Sequence, residues 1–219
     1  MYAILTKEFK IVFLRVKFKS RKGRGSMVNK SAITSQWPEL VKDEVLDERA
    51  SKYGKTVINR HFRMPNGSIH EILCVSTSSL VPVIIFPVTR KGTVLFVNQY
   101  RFGTNESSIE LPGGISKKGE SIIDTAYAEL SEEVGAVAES FEIIGSPMAI
   151  NPALHDAKII AVLATGCCIT RAKDLDETEA LSVMEFSISE CRRMIRGGEV
   201  SDSKTVAISY IALDHLGLL

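Results

Sequence analysis

Three carboxylates, Glu129, Glu132 and Glu133, fall within five consecutive positions, and on a helix Glu129 would neighbour both of the others. Like charges at that spacing repel by roughly a few tenths of a kcal/mol per pair, so a compensating cation is expected. Hard divalent ions such as Mg²⁺ take carboxylate oxygens and keep positions open for water and phosphate, which makes the triplet a metal-site candidate. The competing reading of the triplet alone is a solvated acidic face.

The element that must carry these glutamates is a helix starting at Ser121, whose hydroxyl caps the first turn while Asp124 reaches back in a capping-box arrangement. Gly135 ends it as a left-handed cap. Ile123, Tyr127, Leu130 and Val134 recur at the spacing of a buried stripe, which commits one face to a core.

Residues 110–136 read ELPGGISKKGESIIDTAYAELSEEVGA. Gly114, five residues, Glu120, seven residues and then Ala128 through Ala136 follow without insertion the spacing G-x5-E-x7-R-E-U-x-E-E-x-G-U, U being a bulky apolar residue. The stretch resembles the signature of the Nudix hydrolases. It departs at two positions, with Ala128 in place of the Arg and the small Ala136 in place of the closing bulky residue. The resemblance implies an α/β fold, a Nudix-type α/β/α sandwich with a mixed β-sheet and a small N-terminal β subdomain. It also implies Mg²⁺ or Mn²⁺ held by Glu129, Glu132, Glu133 and the Gly113 carbonyl, with Glu120 orienting the cluster.

Asn98-Gln99-Tyr100-Arg101 resembles the E-Q-Y-R element that precedes the box in the ADP-ribose pyrophosphatase and nucleoside diphosphate sugar hydrolase branch of the family, which makes Arg101 the candidate for binding substrate phosphate. Aligning Pro152 with the proline of that branch's S-P-G-x-S-D-E segment puts Ala157 where a glutamate often serves as general base; His155 or Asp156 could take its place. The branch implies a substrate that is a nucleoside diphosphate linked to another moiety, ADP-ribose first and nucleotide sugars second. It further implies a homodimer formed through the N-terminal β subdomain. The alternative, motivated by Ala128 and Ala157, is a catalytically weak module that binds a nucleotide as a sensor or partner domain.

The remaining elements follow from periodicity and turn chemistry. Residues 37–49 read as a connecting or edge segment, and residues 55–64 and 68–75 as a hairpin about Asn66-Gly67, a pair whose positive φ angles suit a tight turn. Residues 81–89 and 93–100 are continuously apolar, as strands buried on both faces are, with Pro82 and Pro87 placing the first at a sheet edge. Residues 141–148 and 158–169 are further core strands. Helices start at Ser189 and Asp202, the latter with Val206, Tyr210, Leu213 and Leu216 as its buried stripe.

Of 219 residues, 45% are hydrophobic and 24% charged, enough to build a core without a metal or disulfide as staple. Cys74, Cys167, Cys168 and Cys191 show no C-x-x-C spacing, and a reducing cytoplasm suits them. Eight Lys and Arg against the single Glu8 leave +7 in the first 26 residues, so with a net charge of +1 the rest sums to −6. This arm alternates basic with apolar residues and is read as a poorly ordered extension, with neither nucleic-acid nor membrane binding expected. Its apolar run is too short to span a bilayer. The expected organisation is therefore an extension over residues 1–30, a small β subdomain over 31–78 and the Nudix domain over 79–219.

Overall fold

The computed structural model describes residues 37–47, 55–77, 80–174 and 180–219. The basic arm lies outside the described residues. Strands β1 (Glu39–Asp47), β2 (Thr56–Arg63) and β3 (Ile69–Ser76) form an antiparallel three-stranded sheet in that order, so the segment read as connecting or edge is an edge strand. The β2–β3 turn differs from the expected one in a single angle. Only Gly67 has positive φ, at 84°, and Gly67 N donates to Met64 O while Met64 N donates to Ser68 O. Pro65 and Asn66 thus form an ordinary turn followed by a left-handed glycine, the three-residue hairpin loop.

The second sheet is eight-stranded and mixed. It contains β4 (Pro82–Thr89), β5 (Thr93–Arg101), β6 (Glu106–Glu110), β7 (Gly113–Ile115), β8 (Ala136–Val137), β9 (Ser140–Ala149), β10 (Lys158–Ile169) and β11 (Leu181–Ser187). The main order is β11-β5-β4-β10-β8, with β6 beside β5, β7 on β4 and β9 on β10; β4 and β10 run parallel and the other pairs antiparallel.

Among the described residues three helices complete it: α1 (Ile122–Val134), α2 (Ile188–Gly197) and α3 (Ser203–His215). Alternation along the strands creates two cores. Val83, Ile85, Leu95, Val97, Val162 and Ala164 pack with Ala126, Leu130 and Val134 of α1. Ile84, Phe86, Val94, Phe96, Ala161 and Leu163 pack with Met194 of α2 and with Ile208, Ala212 and Leu213 of α3. Successive strand residues point to opposite faces, so fully apolar strands require a helix layer on each side, and the result is the expected α/β/α sandwich.

Three expectations are corrected. β4 is central, not an edge. Pro82 is tolerated because it is the first residue of the strand. Pro87 shares the parity of Ile85, whose N–H bonds Pro112 O, so its missing donor lies on the side where β4 passes from β7 to a single pairing with β5 at Val88 and Val94. On α1, Tyr127 is 53% exposed and rests edge-on against Phe141, leaving Ala126 to continue the buried stripe. On α3, Tyr210 is also exposed, and the contact face is Thr205, Ile208, Ser209, Ala212 and Leu213; its small residues let the helix lie close to the sheet.

Candidate active site

Ser121 caps α1, accepting from Asp124 N at 3.1 Å, and its hydroxyl donates to the Asp124 carboxylate at 2.7 Å, in place of the reciprocal backbone bond of a full capping box. Gly135, at φ 71°, closes the helix. Between these caps the helix turns its glutamates towards β7. Glu133 is buried, 3% exposed, and accepts a hydrogen bond from Gly113 N at 2.8 Å. Glu129, one turn earlier, lies against Gly114, where a Cβ would overlap its carboxylate, while a Cβ at Gly113 would collide with the Val83 carbonyl. The paired glycines are therefore what lets this strand approach both the helix carboxylates and β4.

The expected four-ligand set is only partly assembled. Glu129 and Glu133 share the Gly113–Gly114 strand, whereas Glu132 is exposed, and Gly113 meets Glu133 through its amide. Among the described residues, no three His, Cys, Asp or Glu side chains gather as a ligand group. Two adjacent carboxylates nevertheless fit a hard divalent cation such as Mg²⁺, which takes one or two protein carboxylates and fills its remaining positions with water and phosphate oxygens. Glu120 is engaged locally, accepting from Lys117 N at 2.9 Å and Thr125 Oγ1 at 3.0 Å. The Lys117 amide and then the Thr125 hydroxyl hold its carboxyl below the usual range. Glu120 thus ties the approach loop to the first turn of α1.

Arg101 ends β5 on the face that carries Val97 and α1. Its Nε and Nη2 donate to the two oxygens of Glu110 at 2.8 and 2.6 Å. This bidentate pair raises the guanidinium's pKa, chiefly through the Glu110 bond, with the charges of Glu133 and Asp202 adding to it. Glu110, with a side chain 4% exposed, is the site residue that sequence reasoning passed over. The pairing of Val97 with Glu110 across β5 and β6 puts Glu110 on the face of Arg101, a relation between strands that rests on β6, a strand not expected from the sequence.

The start of α3 at Asp202 was expected, but not its place beside Glu110. Asp202 caps that helix through Thr205 N at 2.9 Å, Lys204 Nζ lies 2.5 Å from Asp202 Oδ1 and 4.0 Å from Glu110 Oε2, and Thr205 Oγ1 accepts from Leu111 N at 3.0 Å. Burial pushes the Asp202 carboxyl up, and Lys204 and the Thr205 amide more than reverse it, leaving it below the usual range.

The loop of residues 150–157 does other work. Asp156 accepts from Ser76 Oγ at 2.6 Å, Thr77 N at 3.0 Å and Arg60 Nη2 at 3.1 Å. Burial raises its carboxyl, but these bonds and the Arg60 charge prevail and lower it. Val75 and His155 form a parallel bridge, and His155 Nδ1 accepts from Ala157 N at 3.1 Å. The loop thus fastens β3 to the larger sheet, with the Asp156 carboxylate at the centre of that contact.

Comparison with known proteins agrees with this architecture. A family model described as NUDIX domain matches residues 79–201, more than half of the 219 residues. The chain is 34% identical over 154 residues to the methanol dehydrogenase activator of Bacillus methanolicus, covering 69% of this chain and 82% of that protein. It is 32% identical over 152 residues to the ADP-ribose pyrophosphatase of Bacillus subtilis, covering 68% and 80%. A GDP-mannose pyrophosphatase of Escherichia coli K12 is 31% identical over 138 residues, covering 58% and 71%. The crystal structure of an ADP compounds hydrolase superposes with a TM-score of 0.72 at 19% identity, covering 84% of this chain and 98% of that one, which supports the fold. With the signature helix, the sandwich and the family match in one chain, this protein belongs to the Nudix family.

Proposed function

We propose that the protein hydrolyses the diphosphate bond of a nucleoside diphosphate linked to another moiety, ADP-ribose first and nucleotide sugars second, giving two phosphomonoesters. The carrying observation is the convergence of Glu129 and Glu133 on the Gly113–Gly114 strand, with Arg101 fixed nearby on buried Glu110. Glu129 and Glu133 would hold Mg²⁺ or Mn²⁺, with Glu132 and the Gly113 carbonyl as the further proposed ligands. Such a cation, when bound, neutralises charge on phosphoryl oxygens and lowers the pKa of water towards neutrality.

The protein's own contributions are positional. Glu133 is oriented by the hydrogen bond it accepts from the Gly113 amide, and Gly114 leaves room for the Glu129 carboxylate. Arg101 gives one edge of its guanidinium to Glu110, and the side chain stays 43% exposed, so its other edge can meet a phosphate. Ranking ADP-ribose ahead of nucleotide sugars is supported by the Bacillus subtilis relative's name and coverage.

A domain boundary at residue 79, with the β1–β3 sheet as a small N-terminal β subdomain, is supported by the start of the family match there. That sheet leaves Val45, Leu46, Ile69 and Leu73 each at least half exposed, which supports a homodimer formed through it. Among the described residues no helix is long and apolar enough to cross a membrane. The four free cysteines suit a reducing cytoplasm.

A second reading, a weak module that senses a nucleotide for a partner protein, is favoured by Ala128 and by the Bacillus methanolicus relative named as an activator of another enzyme. One experiment separates the two: a panel of nucleoside diphosphate derivatives with Mg²⁺ or Mn²⁺, read by phosphate release after phosphatase coupling. Turnover of ADP-ribose or a nucleotide sugar is expected, and nucleotide binding without turnover across the panel would establish the second reading.

A further inference from the structure

The family match stops at residue 201, yet the next turn of chain reaches the site. Thr205, 1% exposed, accepts from the backbone of Leu111, the residue after Glu110. Lys204, one residue earlier, stands 4.0 Å from the same Glu110 oxygen that receives Arg101 Nη2. Two cations thus address one buried carboxylate, although Arg101 alone already occupies both of its oxygens. The surplus cation is explained by Asp202. This carboxylate, 13% exposed, lies 2.5 Å from Lys204 Nζ, which in turn stands 4.0 Å from the Glu110 oxygen bonded to Arg101 Nη2, so its charge adjoins the Arg101–Glu110 pair.

We propose that Lys204 is a positioning residue of the diphosphate site: by neutralising Asp202 it keeps Arg101 paired with Glu110 and its free edge turned towards substrate phosphate. The inference rests on the hydrolase reading for the nature of the ligand. Without the ammonium, Asp202 competes with Glu110 for the guanidinium. Interactions among partly buried charges are little screened by salt, so that competition reorients the arginine. Arg101 is the group that touches substrate, and Lys204 acts through it.

The test uses the full chain, with ADP-ribose as probe. Its Kd is measured by calorimetry in EDTA, where no turnover occurs, and KM and kcat are measured with Mg²⁺. Lys204→Met is expected to weaken binding and raise KM by about 10-fold, in the range of supporting partners, with a smaller change in kcat; Lys204→Arg should restore both. In Lys204→Met/Asp202→Asn the competing charge is gone while asparagine still caps the helix, so affinity should return towards wild type. A merely structural lysine would not show that recovery.

Equal affinity of wild type and Lys204→Met overturns the proposal, as does a double variant no better than the single one. If wild type binds ADP-ribose with this pattern but hydrolyses nothing, the hydrolase reading fails and the positioning role stands. If wild type does not bind ADP-ribose, the positioning role is overturned too.

Discussion

Arg101 meets Glu110 through two parallel bonds, whereas Arg60 meets Asp156 through one, and Asp156 gives its other lone pairs to Ser76 and Thr77. In the first pair the carboxylate is buried and the guanidinium side chain is 43% exposed. In the second, the two side chains are 24% and 27% exposed, and the anion is the shared hub. The partner left outward decides what such a pair can do. A saturated anion with an accessible cation can receive phosphate, while an anion at the centre of several donors fastens segments together, here β2 and β3 to the loop before β10.

The strongest challenge to the site half of this comparison is Glu133→Gln, which keeps size and helix propensity but removes an anionic ligand. Metal-dependent hydrolysis should fall by about 10²-fold or more with an unchanged circular dichroism spectrum. Turnover at the wild-type rate would remove Glu133 from the metal site. Arg101→Lys retains the charge but not the two-bond fork, so KM should rise by about 10-fold in steady-state assays; an unchanged KM would mean that the exposed guanidinium edge takes no part in binding.

Asp156→Asn addresses the fastening pair. Unfolding free energy at pH 7 should drop by about 1–3 kcal/mol, since hydrogen bonds to a charged group are lost, while turnover per folded molecule stays the same. The sign of the pH dependence follows from the lowered carboxyl. Its contribution is complete above the unfolded value of about 3.9 and is lost as pH falls through the folded one. The gap between urea melts of wild type and variant should therefore begin to close only below about pH 3.9 and shrink as pH falls on through the folded value, and a gap that stays constant on that descent would show that the charge is not what fastens the loop.

The smallest effect is expected from Ala128→Arg, which restores the signature residue on α1. A guanidinium there can steady the glutamate rotamers, and turnover should rise by no more than about 10-fold. A fall would show that the charge already supplied near Glu133 by Arg101 excludes a second one.

How much was legible in advance depended on the range of the interaction. The caps of α1, the continuous apolar runs of β4, β5 and β10, and the hairpin about Asn66-Gly67 are set by neighbours a few residues apart, and all were readable from the sequence. The glutamate register was readable for the same reason, since 3.6 residues per turn places Glu129 and Glu133 one above the other. Edge or centre for β4 was not, because a proline's missing donor matters only relative to strands that arrive from elsewhere in the chain.

Nor could local pattern tell Arg101 from Arg60, or Glu110 from Asp156. Those roles depend on which carboxylate is buried, and burial is created by packing between distant segments. Lys204 shows this most plainly. Its sequence context is an ordinary helix start, and it becomes part of the site only because Thr205 bonds Leu111 and brings the last helix against the strand that carries Glu110. The sequence alone determined the glutamate helix, its caps and the sandwich that holds it. Tertiary structure decided which charges are desolvated and which of them stay open to a ligand, because desolvation is a property of the assembled fold and not of residue order.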